Sequence, residues 1–148
     1  MLSLNDSNVS GYGFDHRRIV RVQPDGTVDP DFAAGTFQFA QTSFSISDIA
    51  ADAAGRLVLV GVFDRYDGSA RNGTVRLLPS GAIDPSFASL SAPAIASNNA
   101  LNRVLVLASG RIVVSTSGTT PIGQVADRIG LAALISTEVA AGAAPVLT

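Results

Sequence analysis

The chain has 148 residues, 47% of them hydrophobic and 15% charged, which suits one domain with a real core and excludes the disordered class. Its net charge is −2, from 12 acids against 10 bases, so no basic field exists to neutralise nucleic-acid phosphates. Cysteine is absent and every base is arginine, which removes disulfides, thiolate zinc sites, cysteine nucleophiles, Schiff-base lysines and a P-loop lysine.

Taken in chain order, Met1 to Asp6 lacks a positive region followed by an apolar run, so no signal peptide is expected. Ile19 to Val22 reads as a β-prone run ended by the turn Pro24-Asp25-Gly26. Ile46 to Asp52 and Leu57 to Phe63 flank Ala53-Ala54-Gly55 and predict a hairpin. Thr74 to Leu78 is a further strand, ended by Pro79-Ser80-Gly81. Ala100 to Leu107 and Ile112 to Thr116 flank Ala108-Ser109-Gly110 as a second hairpin. Ile129 to Ile135 is rich in alanine, yet it aligns with Asn72 to Leu78 once two residues are inserted, and a strand is expected there. No apolar series holds a 3.6-residue spacing with helix caps. No stretch approaches the roughly 20 apolar residues that cross a bilayer. In the most apolar region, Ile129 to Thr148, Ser136, Thr137, Glu138, Gly142 and Pro145 intervene.

A repeat organises these elements. Arg21-Val-Gln-Pro24-Asp-Gly26-Thr-Val-Asp29-Pro30-Asp-Phe32-Ala33 lines up without a gap on Arg76-Leu-Leu-Pro79-Ser-Gly81-Ala-Ile-Asp84-Pro85-Ser-Phe87-Ala88, an offset of 55 residues from Arg21 to Arg76. The same offset lays Gly55-Arg56-Leu57-Val58-Leu59-Val60 on Gly110-Arg111-Ile112-Val113-Val114-Ser115. Two separate matches at one offset establish a real internal repeat. Units of this size, built from strands, predict an all-β chain of antiparallel four-stranded units, propeller-like blades that stack because none can bury both faces alone. The chain is read as a single β-repeat domain over residues 1–148, with units at about 13–67 and 68–122 and a partial third at 123–148. That is about 2.7 units, against roughly four to eight blades in a closed propeller, so an incomplete ring within one chain is expected.

The second unit resembles a known family. Gly61-Val-Phe63-Asp-Arg-Tyr66-Asp-Gly68-Ser-Ala70-Arg71-Asn72-Gly73-Thr-Val-Arg76-Leu77 is similar to the blade signature of the delta-60 repeat, or DUF5122, β-propeller family, and Leu78-Pro-Ser-Gly81-Ala-Ile-Asp84-Pro-Ser-Phe87 continues it, with Ser80 where aspartate is usual. Ala54-Gly55-Arg56 followed by Leu57 to Val60 matches the family's turn and apolar run. The resemblance covers about residues 13–115. It implies a propeller-like fold of the kind found in bacterial surface or secreted proteins and in phage tail components, and it carries no catalytic residues over.

The chemical candidates are few. His16 is the sole histidine; a serine hydrolase would need it with an acid such as Asp15, and no Gly-x-Ser-x-Gly elbow is present. A surface or packing role is expected for His16. Asp25, Asp29 and Asp31 have the spacing of a calcium loop, but the second copy carries Ser80, Asp84 and Ser86 there, so the expected role is an Asx-type turn anchored by Phe32 and Phe87. Arg21, Arg76, Arg56 and Arg111 recur in register, either paired with Asp29 or Asp84 within a blade or free for anion or sugar recognition; pairing is favoured. No metal, cofactor or catalytic set is expected.

The loop from Phe63 to Asn72 is the best recognition candidate, because it is polar and sets an aromatic residue between acids. Asp64, Arg65, Tyr66, Asp67 and Arg71 are the expected ligand-binding residues. The alternative is that Phe63 and Tyr66 pack the blade. The expected function is a non-enzymatic structural or recognition subunit of a surface-facing assembly, such as a phage tail or virion component or a bacterial surface structure. The alternative is an oligomeric propeller that binds carbohydrate. Partners are expected to be further copies or other subunits, with a surface glycan possible and neither nucleic acid nor membrane insertion. The expected location is a virion or the extracellular or cell surface.

Overall fold

A computed structural model of the chain describes residues 3–5, 17–38, 45–88, 101–116 and 130–134. All regular structure among them is β. Eleven strands follow in order: β1 (Ser3–Asn5), β2 (Arg17–Ile19), β3 (Phe37–Gln38), β4 (Ser45–Ala51), β5 (Leu57–Val62), β6 (Arg65–Tyr66), β7 (Ser69–Ala70), β8 (Thr74–Leu77), β9 (Leu101–Val106), β10 (Ile112–Thr116) and β11 (Leu131–Leu134).

They form three antiparallel sheets. The middle sheet is β4-β5-β8 and the third is β11-β10-β9. These two are the repeat made visible, because each opens with a hairpin and adds one more strand to the hairpin's second arm. The strand expected near Ile129 to Ile135 is β11, with Leu131 opposite Ser115. Grouped by sheet, the described residues 17–38, 45–88, and 101–116 with 130–134 are called the first, second and third units from here on. A five-stranded sheet, β1-β2-β3-β6-β7, stitches the first to the second, with β6 paired to β3. The turn at residues 67–68 joins β6 to β7. A repeated sequence fixes the period of a stack and leaves its phase open.

Among the described residues the middle and third sheets each hold three strands. The fourth strand position is marked by a bridge, Leu77 opposite Ile83 in the second unit and Val22 opposite Val28 in the first. Prolines explain the shortening. Pro79 and Pro85 bracket Ile83 as Pro24 and Pro30 bracket Val28, and proline offers no N–H to extend a ladder.

The middle sheet is covered on both faces. Alternation along β5 sends Leu59 to one core, shared with Ile19, Phe32, Phe37 and Tyr66, all of them buried. It sends Val58 and Val60 to a second core, shared with Leu101, Val104, Ile112 and Val114 of the third sheet. A central strand buried on both sides must be apolar throughout, and Leu57-Val-Leu-Val-Gly-Val62 is. Asp48 ties the second interface: its Oδ2 accepts the Val104 N–H at 3.0 Å.

Candidate functional site

The loop singled out in the sequence folds as a tight hairpin. Arg65 pairs with Ala70 and Tyr66 with Ser69, so the turn is Asp67-Gly68, both with positive φ (49° and 74°). That is the requirement of a two-residue hairpin matching strand twist, and aspartate followed by glycine meets it. The turn is held from below by the Asp67 N–H donating to the Thr36 carbonyl at 2.7 Å.

Tyr66 points into the core. Its ring meets Phe37 edge-on at 4.6 Å between centroids, and Phe37 meets Phe63 the same way at 5.0 Å. The hydroxyl accepts the Gly35 N–H at 2.6 Å and donates to the Gly81 carbonyl at 3.2 Å. Burial pushes its pKa up to about 12, with the Asp67 charge adding to the rise and the Gly35 N–H opposing it. One phenol thus joins the first unit, through Gly35, to the turn of the second, through Gly81. Of the five expected ligand-binding residues, Arg65 and Asp67 are exposed, Asp64 and Arg71 are half-buried, and Tyr66 is buried. Arg65 bends back to the Gly68 carbonyl at 3.1 Å, while the Arg71 N–H reaches the Asp64 carbonyl and its guanidinium the Ala70 carbonyl. The solvent face of the hairpin is therefore Arg65 beside Asp67.

The repeated Arg–Asp–Pro–Phe pattern builds the same clasp twice. Arg21 Nε donates to Asp29 Oδ2 at 2.7 Å, and Arg76 Nε to Asp84 Oδ2 at 2.7 Å. The other carboxylate oxygen closes an Asx turn, accepting the Asp31 N–H in the first unit and the Ser86 N–H in the second. Each guanidinium also lies over the phenylalanine that ends the motif, Arg21 over Phe32 at 5.1 Å and Arg76 over Phe87 at 5.0 Å. Arg21 Nη1 donates onward to the Pro79 carbonyl, so the first clasp also grips the second unit's turn.

Electrostatics follow these contacts. The hydrogen bond from Arg21 holds Asp29 below the usual carboxylate range, and the Asp31 N–H adds to it. For Asp84, burial pushes upward, but the Ser86 hydrogen bonds and the Arg76 guanidinium outweigh it and the net shift is down. Asp52 is likewise lowered, its burial outweighed by Arg56. Asp25 is lowered by the N–H and hydroxyl of Thr27. Asp25 faces Thr27 and Asp29 faces Arg21, and no group of three His, Cys, Asp or Glu among the described residues could hold a metal ion. His16 and Asp15 lie outside the described residues.

The third unit departs from this scheme. In the second unit Arg56 Nε binds Asp52 Oδ2 at 2.6 Å and its Nη1 stands 3.8 Å from Asp84. Its counterpart Arg111 is exposed, and Leu107 replaces Asp52 across the turn. Likewise Arg103 stands where Asp48 does, and Leu105, 56% exposed, where Ala50 packs against the second core. Cross-strand pairing puts Leu105 opposite Val113 and Arg103 opposite Ser115. The result is an apolar stripe flanked by two cations. Sequence reading aligned this segment and passed over it; the signal was the loss of both acids at positions the repeat otherwise gives to Asp48 and Asp52.

Residues 8–32 and 55–87 match the family model described as a domain of unknown function (DUF5122) beta-propeller. No curated protein and no solved structure matches the chain.

Proposed function

On the premise that residues 8–32 and 55–87 are DUF5122 β-propeller repeats, we propose that the chain is a non-enzymatic structural or recognition subunit of a surface-facing assembly, such as a phage tail or virion component or a bacterial surface structure. The observation that carries the reading is the contrast between two equivalent sheet faces. The middle sheet buries Val58 and Val60 under the third sheet. On the third sheet the matching positions, Val113 and Ser115, are half-buried, and beside them Leu105 and Leu107 are exposed. Exposed apolar strand faces mark surfaces that meet another protein. The polar side chains of the repeat support the same reading, because Arg21, Asp29, Arg76 and Asp84 are spent on internal clasps.

Fractionation of the producing cells and their released particles tests this. The chain should sediment with a particle or a cell envelope. Recovery wholly in the free soluble fraction would contradict it. The second reading, carbohydrate binding, rests on Arg65 and Asp67 side by side on the exposed hairpin. It predicts glycan-array binding that is lost on Arg65→Ala or Asp67→Ala.

A further inference from the structure

Two docking elements recur in this fold, a turn in the first and second units and a sheet face in the second and third, and the interior of the molecule shows how each is used. The first is the Pro-x-Gly turn. In the second unit it is wedged against the first: the Ala33 N–H donates to the Ser80 carbonyl at 2.9 Å, Arg21 reaches the Pro79 carbonyl, and a Cβ at Gly81 would stand 2.8 Å from the Ala34 nitrogen. The equivalent turn of the first unit is open, since a Cβ at Gly26 would meet nothing within 4 Å. The second element is the sheet face carrying Asp48, Ala50, Val58 and Val60, which the third sheet covers. Its equivalent on the third sheet, Arg103, Leu105, Val113 and Ser115, is uncovered at Leu105 and Arg103. The two unfilled copies lie on opposite sides of the middle sheet, one in the first unit and one in the third.

These ends also match in chemistry. Val28, Leu105 and Leu107 are the exposed large hydrophobics among the described residues. Val28 sits between the exposed acids Asp25 and Asp31, whereas Leu105 and Leu107 sit between the exposed bases Arg103 and Arg111. Neither arginine is bound to a carboxylate among the described residues. An apolar residue flanked by acids at one end, and an apolar stripe flanked by arginines at the other, are complementary surfaces on one chain.

We propose that copies of this chain associate head to tail, the acidic first-unit end of one seated on the arginine-flanked face of the third sheet of the next. The contact continues the junction that already joins the units inside the molecule. It is heterologous, so it generates a ring if the rotation closes and a filament if it does not. The inference names the partner for the assembly reading above and rests on it.

The test uses light scattering with gel filtration on the full chain. The wild-type chain should run above the monomer mass of 15.1 kDa and fall toward it as salt rises from about 0.05 to 0.5 M, as screening shortens the reach of the charges. Arg103→Glu with Arg111→Glu makes the third-sheet end acidic. Asp25→Asn with Asp31→Arg makes the first-unit end basic while keeping an acceptor for Thr27. Each double variant should weaken self-association about tenfold or more, a loss of about 1.4 kcal/mol. Mixed one to one, the two variants present complementary ends at every junction and should associate again, which also shows that both are folded. A wild-type monomer, variants that associate as before, or a mixture that stays monomeric would each overturn the proposal. A monomeric pure chain that nevertheless sediments with a particle would remove this inference and leave the assembly reading standing. A self-associating chain found free of particles and envelopes would do the reverse.

Discussion

Arg76 and Asp84 form an ion pair 2.7 Å apart with side chains only 3% and 4% exposed, while Arg21 and Asp29 form the same pair at the same distance with the arginine 43% exposed. One motif therefore occupies two dielectric environments in one molecule. Among the described residues, Arg56 flanks the second pair, 3.8 Å from Asp84, and the Phe87 ring under Arg76 joins the core shared with the third sheet. Removing one partner from a buried pair leaves a charge without compensation, whereas an exposed pair is screened by water. Asp84→Ala should cost about 3–5 kcal/mol, and Asp29→Ala clearly less, read from urea denaturation. Equal losses at the two sites would contradict the burial assigned to the second unit. Replacing both Arg76 and Asp84 with apolar residues should cost less than Asp84→Ala alone.

Acid should unfold the chain through the same carboxylates. Asp29, Asp52 and Asp84 all titrate below their ordinary value of 3.8 in the folded state. Their stabilisation is complete above pH 3.8 and is lost as pH falls through the lowered values. Stability measured between about pH 6 and pH 2 should decline most steeply below 3.8, and the decline should be shallower in Asp84→Ala. An unchanged slope in that variant would contradict the assignment.

Alkali should act through Tyr66, with the opposite sign. Its folded pKa is raised from 10.0 to about 12, so its contribution is complete below pH 10 and lost as pH rises through 12. Tyr66→Phe should remove the pH dependence of stability in that window. At neutral pH it should cost about 1–3 kcal/mol, because the Gly35 N–H loses its acceptor. A variant as stable as the wild type, with the alkaline slope intact, would place the phenol in solvent.

Two glycines separate backbone strain from docking. Gly26 and Gly81 have nearly the same φ, 87° and 90°, and alanine is strained at both by roughly 1–2 kcal/mol. Only Gly81 also meets the backbone of Ala33 and Ala34. Gly81→Ala should therefore lower the melting temperature clearly more than Gly26→Ala in the isolated chain. Equal shifts would mean that the second unit's turn is as open as the first.

Most of the fold was legible because its signals are local. The turns at Gly55 and Gly110 announce their hairpins, and aspartate before proline announces both Asx turns with Phe32 and Phe87 buried behind them. The shortness of the fourth strand was not legible, since its contraction to a bridge at Ile83 follows from which N–H groups remain between Pro79 and Pro85. Tyr66 could be read either as a loop ligand or as a packing residue. Its sequence neighbours are Asp64, Arg65, Asp67 and Gly68, all suited to a solvent-facing turn, yet a two-residue hairpin turns one side of its strands inward. The ring's destination is set by Phe37, 29 positions earlier, through the pairing of β3 with β6. The open face at Leu105 and Arg103 becomes visible only once the covered face at Ala50 and Asp48 is known.

The proposed function requires that the open turn of the first unit and the open face of the third sheet be covered by other subunits in the working state. Native mass spectrometry of the chain released gently from its source tests it most directly. The account predicts a mass above 15.1 kDa, as a multiple of the chain or as a complex with another protein. A lone chain of 15.1 kDa would contradict it.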